Sequence, residues 1–234
     1  MEIGGVMSGS SLGILCLLLT LAGYYISKQL YLRQQRIWFA PIIMAPTLIL
    51  LTVVIFKIPL EDYFQFTHWL PALLAPATIA FAVPIYRERA LIKRYPLTIS
   101  VGVLVGLCLG VGSSWMIVHF THMPSELSKS LIVRSVSTPF AIEATSAFGG
   151  IPELTAMLVL VTGIMGMLIC EPLFKAARIQ SSLARGISLG ASAHGAGAAK
   201  ANQIGREEGV IASLTMIFTG IAMVITAPVF ALLF

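Results

Sequence analysis

The chain has 234 residues, of which 57% are hydrophobic and only 11% are charged, and its mean hydropathy is +0.92. A soluble domain carries about 25% charged residues, so this composition excludes an ordinary soluble protein and indicates a membrane protein. The formal net charge of +5 does not require a nucleic-acid partner, because the positive-inside bias explains basic residues in the short loops of a membrane protein.

Six apolar runs follow one another along the chain. A membrane-spanning helix takes about 17 to 25 residues, and each run meets that length. No basic residue precedes the first run, which predicts a transmembrane helix and not a cleaved signal peptide. In chain order the runs cover residues 5–26, 37–56, 69–86, 97–119, 152–172 and 209–234.

Two further stretches, 131–149 and 187–200, are polar and interrupted by proline or glycine. If both enter and leave on one side, 12 of the 15 basic residues lie inside, with both termini outside. Full crossings would reduce this number to 9, so the positive-inside rule favours re-entrant hairpins, although broken helices that cross also occur in transporters. We expect the helices to open at Pro139, Gly149 and Gly150 in the first stretch and at Gly190, Gly195 and Gly197 in the second.

Residues 134–174 and 191–230 are two diverged copies of one segment. At an offset of 57, Ser135 aligns with Ser192, and Thr162-Gly163-Ile164 aligns with Thr219-Gly220-Ile221. Paired interrupted segments in corresponding positions point to the substrate site of a transporter. A hairpin plus one span makes one net crossing, so consecutive copies would form an inverted repeat.

The predicted fold class is therefore an all-α polytopic membrane protein. It has about six full transmembrane helices plus two interrupted or re-entrant helical segments that form the inverted repeat. Residues 1–120 would form a four-span scaffold, and residues 121–234 would form the substrate-binding region, with its copies at 121–176 and 186–234.

The hydroxyls and amides at the starts of the half-helices suit an anion, because the helix dipole and unpaired N–H groups attract negative charge. We therefore predict an anionic substrate between the hairpin tips. The candidate substrate-binding residues are Ser135, Ser137, Thr138, Pro139, Ser192, His194, Gly195, Gly197 and Lys200. The candidates for charge neutralisation or proton coupling are Arg134, Glu143 and His194.

Each of these residue types also has a structural alternative. Arg134 would otherwise extend to the membrane interface, and Ser137 and Thr138 would bond to helix carbonyls. His194 would carry a proton, bind a carboxylate or pack against backbone. Glu143 and Lys200 occupy equivalent repeat positions, where they would form an ion pair, hold a proton or face water.

The sequence indicates neither a metal site nor a cofactor. Cys16, Cys108 and Cys170 lie in apolar runs without ligand spacing. No strand–turn–helix elbow, metal-ligand spacing or carboxylate dyad accompanies Ser192 and His194, so we predict no enzyme. The glycines at 102, 106 and 110 predict close helix packing, within the chain or at a subunit interface.

Two motifs resemble the signature stretches of the LrgB/CidB family, which includes the C-terminal part of the plastid glycolate/glycerate translocator. They are R-S-V-S-T-P-F-A-I-E followed by G-G-I-P in residues 134–152, and G-A-S-A-H-G-A-G-A-A-K in residues 190–200. The resemblance covers essentially the whole chain. In the family, Lys, Thr and Arg often occupy the positions of Arg134, Ser137 and Lys200, and Thr often replaces Ala191 and Ala198, which leaves the substrate open.

The resemblance implies export or exchange of small monocarboxylates such as glycolate, glycerate, lactate or pyruvate, by alternating access. The alternative is the family's older label, a holin- or antiholin-like membrane pore or regulator of murein hydrolases. The resemblance further implies a multi-pass protein of the cytoplasmic (inner) membrane that contacts lipids, a homo- or hetero-oligomer, and a small LrgA/CidA-like membrane partner.

Overall fold

A computed structural model describes residues 9–34, 36–80, 82–121 and 123–233, and over this part of the chain it contains helices and no strand. The chain forms two compact units, Met1–Ala77 and Thr78–Phe234. The all-α polytopic fold class is confirmed. The division of roles at residue 120 stays a prediction.

The first unit is built on its long N-terminal helix, α1. A close approach at Gly13 brings α3 against α1, because a Cβ at this position would lie 2.8 Å from a ring carbon of Phe66. Leu12, Cys16 and Ile58 form the buried cluster of this unit. Its helices are α1 (Gly9–Gln34), a 3-10 turn (Ile37–Phe39), α2 (Pro41–Ile55), α3 (Leu60–Thr67), α4 (Trp69–Ala72) and the first part of α5 (Leu74–Ala80).

The second unit contains both copies of the repeat. Helices α12 and α13 pack along each other, α8 packs against both, and α10 lies against α11 and α13. The helices that follow α5 are α6 (Ala82–Arg87), α7 (Arg89–Arg94), α8 (Pro96–Thr121), α9 (Ser125–Leu131), α10 (Thr138–Phe148), α11 (Pro152–Ala176), α12 (Ser182–Ile204), α13 (Arg206–Phe230) and a 3-10 turn (Ala231–Leu233).

Within the described residues, five helical segments are long and apolar enough to cross a membrane. They are Ser11–Gln34, Leu60–Arg87, Pro96–Thr121, Pro152–Ala176 and Arg206–Phe230. The predicted span at 37–56 corresponds to the apolar helix Pro41–Ile55, whose 15 residues extend about 22 Å, less than the roughly 30 Å of a bilayer core. The side of the membrane on which each terminus lies stays a prediction.

The outward faces of α8 and α11 suit lipid. Leu104 and Met116 on α8 are 59% and 55% exposed, and Met157 and Leu173 on α11 are 64% and 58% exposed. Large exposed apolar faces of this kind mark a membrane or an interaction surface. These exposed apolar faces and the candidate spans together indicate a multi-pass membrane protein.

The helix boundaries follow the repeat offset of 57. Helices α9 and α12 begin at Ser125 and Ser182, and the two interruptions come at Ser137, just before α10, and at His194 inside α12. After each interruption a half-helix runs for about ten residues, to Phe148 in one copy and to Ile204 in the other. The duplicated sequence is therefore also a duplicated order of helices.

Candidate binding site in the duplicated half

The first interruption is the buried segment between α9 and α10. Val133 and Val136 are fully buried, and Ser135 is 8% exposed. Ser137 occupies the cap position of α10 and is 6% exposed. Its Oγ makes no cap bond and has no hydrogen-bond partner in the described structure. This segment therefore places polar groups inside the helical unit, as re-entrant backbone does where it is enclosed by protein.

Thr138 and Pro139 form the first two positions of α10 and are partly buried. Pro139 therefore lies in the first turn of a helix and does not interrupt one, in keeping with the preference of proline for this turn. Gly149 ends the helix in the left-handed conformation at φ 69°. The expected interruption of the helix at Gly149 therefore agrees with the structure.

His194 is the residue that interrupts α12. It has φ 41° and ψ −125°, is 5% exposed, and its Nε2 lies 3.0 Å from the carbonyl oxygen of Val159 on α11. A left-handed backbone is unfavourable for a residue with a Cβ, so packing must hold it there. Of the alternatives for His194, the structure shows the packed histidine bonded to backbone.

The expectation that glycines open the second stretch is wrong, because only His194 departs from helical dihedrals within α12. Gly190 and Gly197 instead allow close approach. A Cβ on Gly190 would overlap the backbone of Ala212, and one on Gly197 would overlap the carbonyl of Leu189. Gly195 is exposed, and a Cβ on it would meet nothing within 4 Å.

The repeated Thr-Gly-Ile motif forms a reciprocal contact between the two copies. Gly163 on α11 lies beneath the ring of His194, and a Cβ there would be 2.7 Å from Cε1 of that ring. Its counterpart Gly220 on α13 lies beneath the ring of Phe140 on α10, so closely that a Cβ would overlap the ring. Each long helix therefore contacts the half-helix region of the other copy.

A cavity of about 760 Å³ lies in the second unit between α8, α11, α12 and the first interruption. Arg134 is part of its lining and is partly buried. The guanidinium donates to Oγ of Ser114 from Nε at 3.2 Å and to Oγ of Ser113 from a terminal nitrogen at 3.0 Å. The bonds hold the guanidinium beside α8 at the edge of the cavity.

Ser135 and Ser192, which are repeat equivalents, both line this cavity. Ser135 and Ala191, the residue before Ser192, lie against the glycine stripe of α8: a Cβ on Gly110 would be 2.9 Å from that of Ser135, and one on Gly106 would be 2.5 Å from that of Ala191. The stripe thus makes close helix contacts within the chain. Its role at a subunit interface stays a prediction.

The other predicted site residues lie away from this cavity lining. Lys200 forms an ion pair with Glu171, with 2.5 Å between Nζ and Oε1, so the hypothetical Glu143–Lys200 pair is wrong. The side chain of Glu143 is exposed. Of the alternatives for Glu143, a hairpin end that faces the surroundings fits this exposed side chain. The residues that do not line the cavity are Ser137, Thr138, Pro139, His194, Gly195, Gly197, Lys200 and Glu143.

Sequence reasoning missed the contribution of α8 and α11 to the site. Ser113 and Ser114 orient Arg134, and Thr162 and Ser188 add hydroxyls to the lining. The available signal was the position of Ser113-Ser114 directly after the glycine stripe, since small residues bring a helix close enough for short side chains to reach a partner.

Neither the cysteines nor the acidic residues form a metal centre in the part of the chain that the structure describes. Cys16 and Cys170 are buried and Cys108 is exposed, all as free thiols.

The apolar helices, the two interruptions and the cation-lined cavity define a polytopic helical membrane protein with an internal repeat. The chain belongs to the LrgB-like family, whose model matches residues 20–233. It is similar to YwbG of Bacillus subtilis (strain 168), at 35% identity over 217 residues that cover 93% of this chain and 96% of that protein.

The chain also resembles YxaC of Bacillus subtilis (strain 168), with 32% identity over 210 residues, 90% of this chain and 91% of the relative. The holin-like protein CidB of Staphylococcus aureus (strain N315) is 30% identical over 225 residues, which cover 94% of this chain and 96% of CidB. No solved structure matches the chain.

Proposed function

We propose that this protein is a secondary transporter that exports or exchanges small monocarboxylates, of the class of glycolate, glycerate, lactate and pyruvate, by alternating access. It is not an enzyme. The carboxylate binds Arg134 in the cavity between α8, α11 and α12. The single observation that carries the proposal is an arginine in this cavity whose side chain bonds to two neutral hydroxyls.

The electrostatic argument starts from the cost of a cation in a largely apolar protein interior. The described residues contain one ion pair, Lys200–Glu171, so Arg134 has no carboxylate partner among them. An ionisable side chain within a membrane protein is costly and marks a substrate pathway more often than not. A substrate carboxylate would supply the missing charge.

The donor geometry favours a carboxylate. A guanidinium has five N–H donors in a fork that matches the two oxygens of a carboxylate. Two of these donors are directed to Ser113 and Ser114. Lys200 is a weaker candidate because Glu171 already neutralises it.

The repeat supports the mechanism. Each long helix holds the interrupted segment of the other copy at Gly163 and Gly220. Two similar, mutually packed halves are the usual basis of alternating access, in which one half moves against the rest around a fixed site. We propose that residues 121–234 move relative to residues 1–120.

The test is uptake of radiolabelled pyruvate and glycolate into liposomes that contain the purified protein. We expect saturable, competable uptake that Arg134→Gln lowers at least tenfold and Arg134→Lys lowers less, because lysine keeps the charge but loses the fork. Arg185→Gln is the matched control. Arg185 makes its recorded bond to the carbonyl of Ile179, away from the cavity lining, and this variant should keep uptake.

The holin-like alternative predicts a different result. A pore would pass unrelated neutral solutes of the same size at equal rates, without saturation, and Arg134→Gln would change little. The assay is run with and without a small LrgA/CidA-like membrane protein, since we propose that such a partner joins the protein in a hetero-oligomer. Absence of saturable uptake in both preparations would reject the transporter.

A further inference from the structure

We infer that the two repeat-equivalent serines of the cavity, Ser135 and Ser192, recognise different substituents on C2 of the bound acid. Ser135 donates a hydrogen bond to the carbonyl of a 2-oxo acid, and Ser192 accepts one from the hydroxyl of a 2-hydroxy acid. The inference rests on the proposed carboxylate site at Arg134. It deepens that proposal by naming the residues that distinguish the two chemical classes of substrate.

The hydroxyls in the cavity lining differ in what their hydrogens do. Those of Thr162, Ser188 and Ser192 donate to backbone carbonyls of their own helix, at 2.8, 2.7 and 2.6 Å. Ser113 does the same at 3.0 Å. A hydroxyl has one hydrogen and two lone pairs, so these four groups can accept a further bond but not donate one. In the part of the chain that the structure describes, Ser135 is the exception, because its hydroxyl donates to no protein group.

The burial of Ser135 makes that hydrogen informative. The residue is only 8% exposed, and a buried donor without an acceptor destabilises a protein. The cavity that Ser135 lines is the place where an acceptor can satisfy it. A carbonyl oxygen on the substrate is such an acceptor, and a methylene group is not.

The position of Ser135 relative to Arg134 suits an oxygen on C2. Ser113 and Ser114 hold the guanidinium, and a Cβ on Gly110 would lie 3.0 Å from Oγ of Ser135. Gly110 precedes the two serines of α8 by three and four residues, which corresponds to about 5 Å along the helix. The carboxylate and the C2 oxygen of a 2-oxo acid lie on adjacent carbons. A carboxylate bonded to the guanidinium at about 2.8 Å therefore brings its C2 oxygen within reach of Ser135.

Ser192 lies one helical turn further along α8. Ala191, which precedes it, lies against Gly106, four residues before Gly110, or about 6 Å along the helix. The hydrogen of Ser192 is used on the carbonyl of Ser188, so this serine presents an acceptor to the cavity. Together the repeat-equivalent serines offer the donor that a 2-oxo acid needs and an acceptor that a 2-hydroxy acid can use.

The experiment measures competition against uptake of labelled glycolate into liposomes that contain the purified protein, with empty liposomes as the background. The competitors are pyruvate, lactate and propanoate, because these three-carbon acids differ only at C2, where they carry a carbonyl, a hydroxyl or a methylene group. One neutral hydrogen bond corresponds to about a two- to tenfold change in affinity. With the unmodified protein we therefore expect pyruvate and lactate each to compete better than propanoate by about that factor.

Two alanine variants separate the roles of the serines. Ser135→Ala should remove the advantage of pyruvate over propanoate and keep that of lactate, whose hydroxyl still finds an acceptor. Ser192→Ala should have the opposite effect, with the advantage of lactate lost and that of pyruvate kept. A general disturbance of the fold would weaken all three competitors alike, so the ratios between competitors report recognition and not stability.

The outcomes distinguish this inference from the proposed function. If propanoate competes as well as pyruvate and lactate with the unmodified protein, the inference is wrong, whether or not the variants fold. Equal effects of Ser135→Ala and Ser192→Ala on the two ratios would also overturn it. In both cases saturable uptake that depends on Arg134 would leave the transporter standing. Absence of any saturable glycolate uptake, with or without the small membrane partner, would reject both.

Discussion

The contact between Gly163 and His194 gives the sharpest prediction for packing between the two copies. A Cβ at residue 163 would lie 2.7 Å from Cε1 and 3.2 Å from Nε2 of His194, and 3.0 Å from Cβ of Ala196. Gly163→Ala should therefore displace the ring. The ring cannot move freely, because His194 is buried and its Nε2 lies 3.0 Å from the carbonyl oxygen of Val159.

The size of the effect follows from three contributions. Forcing an extra methyl into a well-packed contact costs about 1–3 kcal/mol, and losing the hydrogen bond of His194 costs about 0.5–1.5 kcal/mol. Alanine in place of glycine inside a helix returns about 1 kcal/mol. We therefore expect Gly163→Ala to lower the free energy of unfolding by about 1–3 kcal/mol, which in a protein of this size lowers the thermal midpoint by roughly 3–10 °C.

The assay is thermal unfolding of the purified protein in detergent, together with pyruvate uptake. Gly112→Ala is the matched control, since a Cβ there meets nothing within 4 Å and alanine is the better helix former. It should unfold at the same temperature or higher. A Gly163→Ala variant as stable as Gly112→Ala would refute the packing argument.

A second-site change tests the mechanism further. His194→Gly removes the ring, and glycine accepts the φ of 41° without strain. In the presence of His194→Gly, Gly163→Ala should therefore cost less than it does alone. Additive effects of the two changes would show that the ring is not the obstacle.

Two predictions concern the polar groups. Ser113→Ala removes one of the two recorded acceptors of Arg134; it should weaken pyruvate uptake several-fold by raising KM, and an unchanged KM would contradict a positioning role. Glu171 is 51% exposed and Lys200 17%, so their pair should contribute about 0.2–1 kcal/mol. Lys200→Gln and Glu171→Gln should each lower stability by no more than that, and the double variant should show the same loss as either single one. A coupling energy above 2 kcal/mol would refute this estimate.

The repeat allowed the order of helices to be predicted, but not the residue that interrupts α12. The matching residues of the two copies set an offset of 57, and the helix starts at Ser125 and Ser182 are separated by that offset. Glycine was the natural candidate for an interruption because it tolerates unusual dihedrals. His194 has that role because distant groups, Val159 and Gly163, hold its ring in place.

The site itself was only partly predictable. Arg134, Ser135 and Ser192 were identified from the interrupted stretches and do line one cavity. The partners of Arg134 come from α8, about twenty residues earlier in the chain, and no local pattern links them. Likewise, the true partner of Lys200 is Glu171, which has no counterpart in the other copy and so gave no repeat signal.

The exchange of contacts at Gly163 and Gly220 has a genetic consequence. Each copy supplies the surface on which the other copy's interrupted segment rests, so neither can diverge alone at these positions. Suppressors of a damaging change at Gly220 should arise at Phe140, about eighty residues upstream, and suppressors of a change at Gly163 should arise around His194. A library screen for restored growth or expression would then recover compensating pairs that cross from one copy to the other, in both directions.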